Sequence, residues 1–238
     1  MKTSIIIPMH NEEEGAGLIL EKLIDEIRKW QDEYEIIVVD DNSTDKTPQI
    51  LEEYANKYNL ISPVTKRDGS RGMGAALLEG MKKAEGDVIA WVMGDLSDDL
   101  GKIPEMVSKI GDGYDIVFAS RYMKGGSSGD LGKLKAFLSS RFTVFAEIFF
   151  GVGVHDITNA FRAFKKELAE KIKLESTDFA ISPELAIKAH ILGYRLTEVP
   201  CSYKTRTSGK TKFKIVKMVL KYLTLLKYKF YKKQDLMR

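Results

Sequence analysis

The chain is short of cysteine: its 238 residues include one, Cys201. An intrachain disulfide is therefore excluded, and the usage suits a reducing compartment. Long apolar runs are also missing. No stretch of about 18 uncharged apolar residues exists, so no transmembrane helix is expected. The nearest approach, FTVFAEIFFGVGV at 142–154, is short and broken by Glu147. No secretory leader is visible, because MKTSIIIP enters a strand-like run at once. These absences together lead us to expect a cytoplasmic protein. There is no internal repeat and no low-complexity linker. The formal net charge of +3 is too small to point to nucleic acid. What is present is a composition of 44% hydrophobic and 30% charged residues, that of a folded globular protein with a real core.

Short apolar runs alternate with helical spacing through the first half. Strands are expected at Thr3–Pro8, Tyr34–Val39, Leu60–Thr65, Val88–Met93 and Asp115–Ala119. Between them, helical periodicity marks Glu12–Trp30, Asp45–Tyr58, Gly72–Ala84 and Ile103–Ile110. This repetition predicts an α/β fold: a mostly parallel, Rossmann-like sheet with helices on both faces. In the second half, Leu131–Phe150 and Pro183–Leu192 read as helices and Leu196–Tyr203 as a strand. The expectation is a sheet-rich nucleotide half and a helical acceptor half in one domain, 1–212. A basic amphipathic helix and tail follow at 213–238.

Three expected strands end in acids. EIIVVDDNSTDKT (35–47) finishes in Asp40 and Asp41. Ligands of open α/β sheets bind beyond the carboxyl ends of the strands, and carboxylates there can accept hydrogen bonds from a ribose or a base. Asp45 or Ser43 can cap the next helix, which leaves the other acids for a ligand. PMHNEEE (8–14) ends the first strand, and much of that run suits a helix start. VIAWVM runs into GDLSDD (94–99), where Asp95 follows a glycine that permits close approach. A carboxylate here can hold Mg²⁺ or Mn²⁺, ions that take few protein ligands and bridge substrate phosphates. Ser97, Asp98 and Asp99 also make good helix caps.

Six segments in order resemble family 2 of the glycosyltransferases, which have the GT-A fold, and among them the dolichyl-phosphate mannose synthases and related polyprenyl-phosphate glycosyltransferases. They are IIIPMHNEEE, IIVVDDNSTDKT, SRGMGAALLEGMKKAEGDVIAWVMGDLSDD, FASRYMKGG, HDITNAFRAF and EVPCSYKTRTSGKTKF. The resemblance implies roles for matching positions. Pro8, His10, Glu12, Val39 and Asp41 would line the nucleoside site. Gly94 and Asp95 would meet the diphosphate and the metal, with Ser97 or Asp98 as a further ligand. Arg121 would reach a phosphate. Lys135 and Ser139 fall where the family binds the lipid phosphate. Arg206 and Lys212 would clamp the diphosphate. The chain departs from the family in three places: Met93-Gly94-Asp95 replaces Asp-x-Asp, His10 replaces an aromatic residue, and Thr158-Asn159-Ala160-Phe161-Arg162 replaces Ser-Gly-Phe-Arg.

The activity implied is inverting transfer of a sugar from GDP-mannose or a UDP-hexose to a polyprenyl phosphate. A phosphate nucleophile is ionised at neutral pH, so catalysis rests on alignment and charge stabilisation. Asp156 is a candidate base if the acceptor is a hydroxyl instead, and otherwise a loop anchor near Arg162. Within and just before the basic stretch Phe213–Lys233, Lys210, Lys214, Lys217 and Lys221 share one helical face. That pattern suits either an anionic membrane surface, reached peripherally or through a partner, or a helix docked on the domain itself. Two other functions fit less fully: a family 2 enzyme acting on a glycan, protein or small hydroxyl acceptor, and an inactive nucleotide-sugar-binding protein. A nucleotidyltransferase would place a Gly-rich basic loop where PMHNEEE stands.

Overall fold

The computed structural model describes residues 1–66, 69, 71–129, 131–204 and 215–238, the side chains of 215–217 excepted. Its strands are β1 (Lys2–Met9), β2 (Glu33–Asp40), β3 (Ile61–Thr65), β4 (Val88–Trp91), β5 (Ile116–Ser120), β6 (Arg162–Lys165) and β7 (Leu196–Pro200). Among the described residues they form one sheet in the order β3-β2-β1-β4-β6-β5-β7. Every pairing is parallel except those of β6, which runs antiparallel to β4 and β5. Spacing alone did not reveal β6, since RAFK is too short to carry a period.

The apolar strands alternate between two buried faces. Ile5, Ile7, Ile36 and Val38 join one cluster with Ile19, Leu23, Leu51 and Met106. Ile6, Ile37 and Val39 join the other with Ala76, Leu77, Ala146 and Leu185. Successive strand residues point to opposite faces, so a strand buried on both faces must be apolar throughout. The helices supply the cover. On the first face lie α1 (Ala16–Ile27), α2 (Thr47–Lys57) and α4 (Ile103–Gly111); on the second lie α3 (Met73–Lys83), α5 (Lys133–Phe150), α6 (Lys166–Lys171) and α7 (Ile181–Leu192).

The C-terminal segment differs from the long helix expected. It is a short helix, α8 (Ile215–Thr224), followed by 3₁₀ turns at Leu225–Phe230 and Lys233–Leu236. Nor does it stand apart from the domain. Leu225, Tyr228 and Leu236 are buried in the second-face core. The Arg238 N–H donates to the Lys171 carbonyl at 3.0 Å, and the Lys173 N–H to the Leu236 carbonyl at 2.9 Å. Of the lysines expected on one face, Lys221 is half exposed; Lys210, Lys214 and the Lys217 side chain lie outside the described residues.

Candidate functional site

The loops after β1, β2 and β4 lie side by side because those strands are sheet neighbours. Each loop holds one non-glycine residue in the left-handed region: Asn11 (φ 52°), Asn42 (φ 58°) and Leu96 (φ 63°). Asparagine tolerates this conformation, whereas Leu96 bears a penalty of roughly 1–2 kcal/mol. Such strain concentrates where surrounding structure over-determines a functional backbone.

The first two loops are laced together. The Thr44 N–H donates to Asn11 Oδ1 at 2.8 Å, the Glu12 N–H to Thr47 Oγ1 at 2.9 Å, and the Glu13 N–H to Asp45 Oδ2 at 3.2 Å. Glu13 and Asp45 are thus structural, while His10 and Glu12 line a cavity. His10 donates from Nδ1 to the Asp41 carbonyl at 2.8 Å, a bond that sets its tautomer. Asp40 turns back to accept from the Ser43 N–H at 3.1 Å and holds its own loop. Asp41 reaches the cavity, but its carboxylate is engaged: Lys66 Nζ lies 2.9 Å from Oδ1, and the Gly72 N–H donates to Oδ2 at 2.7 Å. Lys66 is 3% exposed, so this is a buried ion pair that moors the start of α3. Gly72 is needed there, since its φ is +116° and an added Cβ would come 2.5 Å from the Thr177 carbonyl oxygen.

Pro8 lines the cavity, and Gly94 packs beside it; an added Cβ at Gly94 would meet the Pro8 carbonyl at 3.3 Å. Val39 does not line the cavity. Its side chain is fully buried in the second-face core, which leaves only its backbone for the expected nucleoside contact. A β2 side chain that far inside the sheet faces α3 rather than a ligand.

Asp95, Ser97 and Asp98 line the same cavity wall. Ser97 donates to Asp95 Oδ1 from its amide at 3.1 Å and from Oγ at 2.6 Å. Asp98 Oδ2 accepts from the Met93 N–H at 2.8 Å. Met93 thus supplies a backbone donor where the family's usual pattern has an acid, and the second carboxylate comes from Asp98. Among the described residues, no cluster of three His, Cys, Asp or Glu side chains could hold a metal alone. Two carboxylates and a hydroxyl do suit a hard divalent ion that completes its shell with phosphate oxygens and water.

Burial, and then the charge on Asp95, push the Asp98 carboxyl up from 3.8 to about 7. A carboxyl raised in the fold contributes stability that is fully present below its unfolded value of 3.8 and lost as pH rises through about 7. Asp98→Asn keeps an oxygen for the Met93 N–H and removes the charge. Its thermal midpoint is expected to exceed that of the wild type at about pH 8, and the gap to narrow toward about pH 4. Equal midpoints across that range would show that the buried charge carries no penalty.

Arg121 is 8% exposed and lines the cavity beyond Asp98. Its Nε donates to Asp156 Oδ2 at 2.7 Å, and its Nη2 to Asp156 Oδ1 and Thr158 Oγ1 at 3.0 Å each. Burial works against the guanidinium charge, but Asp156 more than offsets this and holds the pKa above the usual arginine value. Asp156 is fully buried, and it also accepts from the Thr158 hydroxyl and the Asn159 N–H. Asp156 lines no part of the cavity, and its carboxylate is engaged by Arg121, which favours an anchoring role over that of a base. It does not pair with Arg162, which sits fully buried between Trp91 and Phe118 and donates to the carbonyls of Ile157, Asn159, Ala160 and Ser182. Burial lowers the Arg162 pKa to about 9. Cys201 is no nucleophile, since burial pushes its thiol up to about 12.

Lys135 and Ser139 stand on the first turns of α5 and face the cavity from the other side. Thr158 Oγ1 lies 3.1 Å from Ser139 Oγ, and Tyr122 is hydrogen-bonded to Ser139 as well. The cavity, of about 720 Å³, thus joins Pro8, His10, Glu12, Asp41 and Asp95 to Arg121, Lys135 and Ser139. It continues between α5 and α8 along Leu138, Phe142, Phe145, Met218, Tyr222 and Leu223. Arg206 and Lys212 lie outside the described residues. Sequence reasoning missed Lys66, Arg71 and the aromatic wall. The signal for the first two was the basic run TKRDGSRG after β3; the wall carried none, because its residues come from helices far apart in sequence.

The chain is 31% identical over 225 residues to a dolichol-phosphate mannosyltransferase of Pyrococcus furiosus, covering 94% of this chain and 62% of that one. It is 31% identical over 218 residues to a polyprenol monophosphomannose synthase of Mycolicibacterium smegmatis, covering 89% of this chain and 80% of that one. The chain therefore spans less than two thirds of the archaeal relative's length. Among solved structures, glucosyl-3-phosphoglycerate synthase of Mycobacterium tuberculosis, with Mn²⁺, uridine diphosphate and glucosyl-3-phosphoglycerate, superposes with a TM-score of 0.74 at 18% identity, covering 96% of this chain and 79% of that one. The same enzyme with Mg²⁺ and uridine diphosphate gives 0.71 at 15% identity, with the same coverage. The family model described as Glycosyl transferase family 2 matches residues 4–173, and the chain belongs to that family.

Proposed function

We propose that this protein transfers a hexosyl group, with inversion, from a nucleotide-sugar to a polyprenyl phosphate. The observation that carries this is the gradient along one cavity. It begins among strand-end acids, passes a buried arginine flanked by hydroxyls, and ends in an apolar slot between α5 and α8. A donor diphosphate suits the first part. An amphiphile with a phosphate head and an apolar chain suits the rest. The two relatives are named for that acceptor chemistry.

In this reading His10, Glu12 and Asp41 line the nucleoside end, and Asp95 with Ser97 holds Mg²⁺ or Mn²⁺. The chemistry such an ion supplies is neutralisation of charge on the leaving diphosphate. Arg121, held in place by Asp156, presents its remaining N–H groups to the acceptor phosphate, with Lys135 and Ser139 beside it. A phosphate oxygen attacks the sugar carbon as the bond from that carbon to the donor phosphate breaks, and the nucleoside diphosphate leaves with the electron pair. No proton need be removed, which agrees with the burial of Asp156. Arg206 and Lys212 remain the proposed diphosphate clamp.

A lipid acceptor brings the protein to a membrane. Among the described residues no helix is long and apolar enough to cross one. Beside the slot, α5 exposes Phe137 and Ile148 and α8 exposes Leu220, with lysines nearby, which supports peripheral attachment. The test is nucleoside diphosphate release from GDP-mannose, UDP-glucose or UDP-N-acetylglucosamine with Mn²⁺ or Mg²⁺ and a short polyprenyl phosphate. Release is expected to require the lipid phosphate. Release to a sugar hydroxyl, with none to the lipid phosphate, would overturn the assignment.

A further inference from the structure

Behind the cavity lies a cluster of ionisable groups that the transfer chemistry does not use. Glu184, in the first turn of α7, is fully buried. Lys188, one turn later and 1% exposed, places Nζ 2.6 Å from Glu184 Oε1. The Tyr228 hydroxyl, from the C-terminal 3₁₀ turn, lies 3.0 Å from both Glu184 Oε1 and Glu175 Oε2. The Tyr228 ring sits 4.3 Å from Lys188 Nζ. Glu184 also accepts from the Glu175 N–H at 2.9 Å and the Ser176 N–H at 2.8 Å. Burial and the Glu184 charge raise the phenol's pKa, so it stays a donor. A buried ion pair adds little net stability against an apolar replacement, and its better-attested use is to specify a geometry.

The geometry specified is that of the loop between α6 and α7. The Thr177 carbonyl accepts from the Ala75 N–H at 3.0 Å. The loop also packs so closely on α3 that an added Cβ at Gly74 would come 2.6 Å from the Ser176 carbonyl oxygen. The same turn of α3 donates from Gly72 to Asp41. At its far end the loop puts Asp178 and Phe179 into the cavity wall, where Lys221 of α8 lies 3.8 Å from Asp178. One loop thus touches both ends of the cavity, and the C-terminal segment pins it from outside.

We propose that Glu184, Lys188 and Tyr228 form a clasp that positions the 175–179 loop, and through Gly72 and Asp41 the nucleoside end of the donor site. The inference rests on the donor reading given above. Tyr228 is a positioning residue in this scheme, because it touches no part of the cavity.

The test compares the wild-type chain with Tyr228→Phe, which keeps the ring over Lys188 and deletes only the hydroxyl. Amide hydrogen exchange is expected to quicken about fivefold or more in peptides covering 71–76 and 174–178, with the central strands unchanged. The donor KM is expected to rise about five- to tenfold, with kcat within about twofold. Lys188→Met is expected to act in the same peptides more strongly; should it fail to fold, Tyr228→Phe decides alone. Unchanged exchange at 71–76, or acceleration spread evenly over the domain, would overturn the clasp. If the wild type accepts no nucleotide-sugar, the donor reading falls, while the exchange measurement still decides whether the clasp positions the loop.

Discussion

Asp95→Asn is expected to lower kcat by about 10²–10³-fold while the fold remains intact. Asparagine keeps an oxygen where Asp95 Oδ1 accepts from the Ser97 amide and hydroxyl, so the strained turn at Leu96 retains its supports. What is lost is the negative charge at the cavity wall. Removing it also relieves Asp98, whose carboxyl is raised partly by Asp95. The thermal midpoint should therefore hold or rise as activity falls. Asp95→Ala should lose as much activity and some stability, because the Ser97 donors lose their acceptor. Steady-state kinetics alongside a melting curve checks both halves. An Asp95→Asn protein of full activity would remove Asp95 from the metal assignment.

The second large effect concerns Arg121. Arg121→Met strands the fully buried Asp156 carboxylate without its bidentate partner. Breaking such a pair from one side costs about 3–5 kcal/mol. At about 2–4 °C per kcal/mol for a chain of this size, the midpoint should fall by roughly 10 °C. Transfer to a lipid phosphate should fall by about 10²-fold or more, since the guanidinium proposed to meet the acceptor is gone. The double variant Arg121→Met/Asp156→Asn separates the two effects. It removes the stranded charge, so stability should largely return, and activity should not. Restored activity in the double variant would mean that Arg121 serves only to neutralise Asp156. Arg121→Lys should keep most of the charge balance yet lose the paired geometry, because an ammonium is a point donor.

These effects were only partly legible in the sequence. Asp95 stood out, because an acid follows a buried apolar run and a glycine there. Arg121 and Asp156 were each legible as residues of interest, but not as a pair, for they lie 35 positions apart. Asp156 on its own looked as much like a base as like an anchor. Asp41 likewise stood out at the end of β2, while its partner Lys66 was one of three basic residues in a polar run. The C-terminal stretch was the most ambiguous. Its amphipathic pattern fits a membrane and a protein core equally, since both offer an apolar face. The contacts of Leu225, Tyr228 and Leu236 place it on the core.

The sequence by itself therefore determined the features that depend on neighbours along the chain. Apolar runs of strand length, helical periods between them and acids at the strand ends specified an α/β sheet with a site at its carboxyl edge, and the ordered motifs specified the family. The tertiary structure decided what the strand-end acids meet. Lys66 reaches Asp41 from 25 residues away, and Tyr228 reaches Glu175 from 53. It also slotted the antiparallel β6 between β4 and β5 and closed the apolar slot between α5 and α8. Local patterns repeat with a fixed period and can be read in one dimension. Ion pairs and cavity walls join segments whose approach is set by how the whole core packs, and no local period records it.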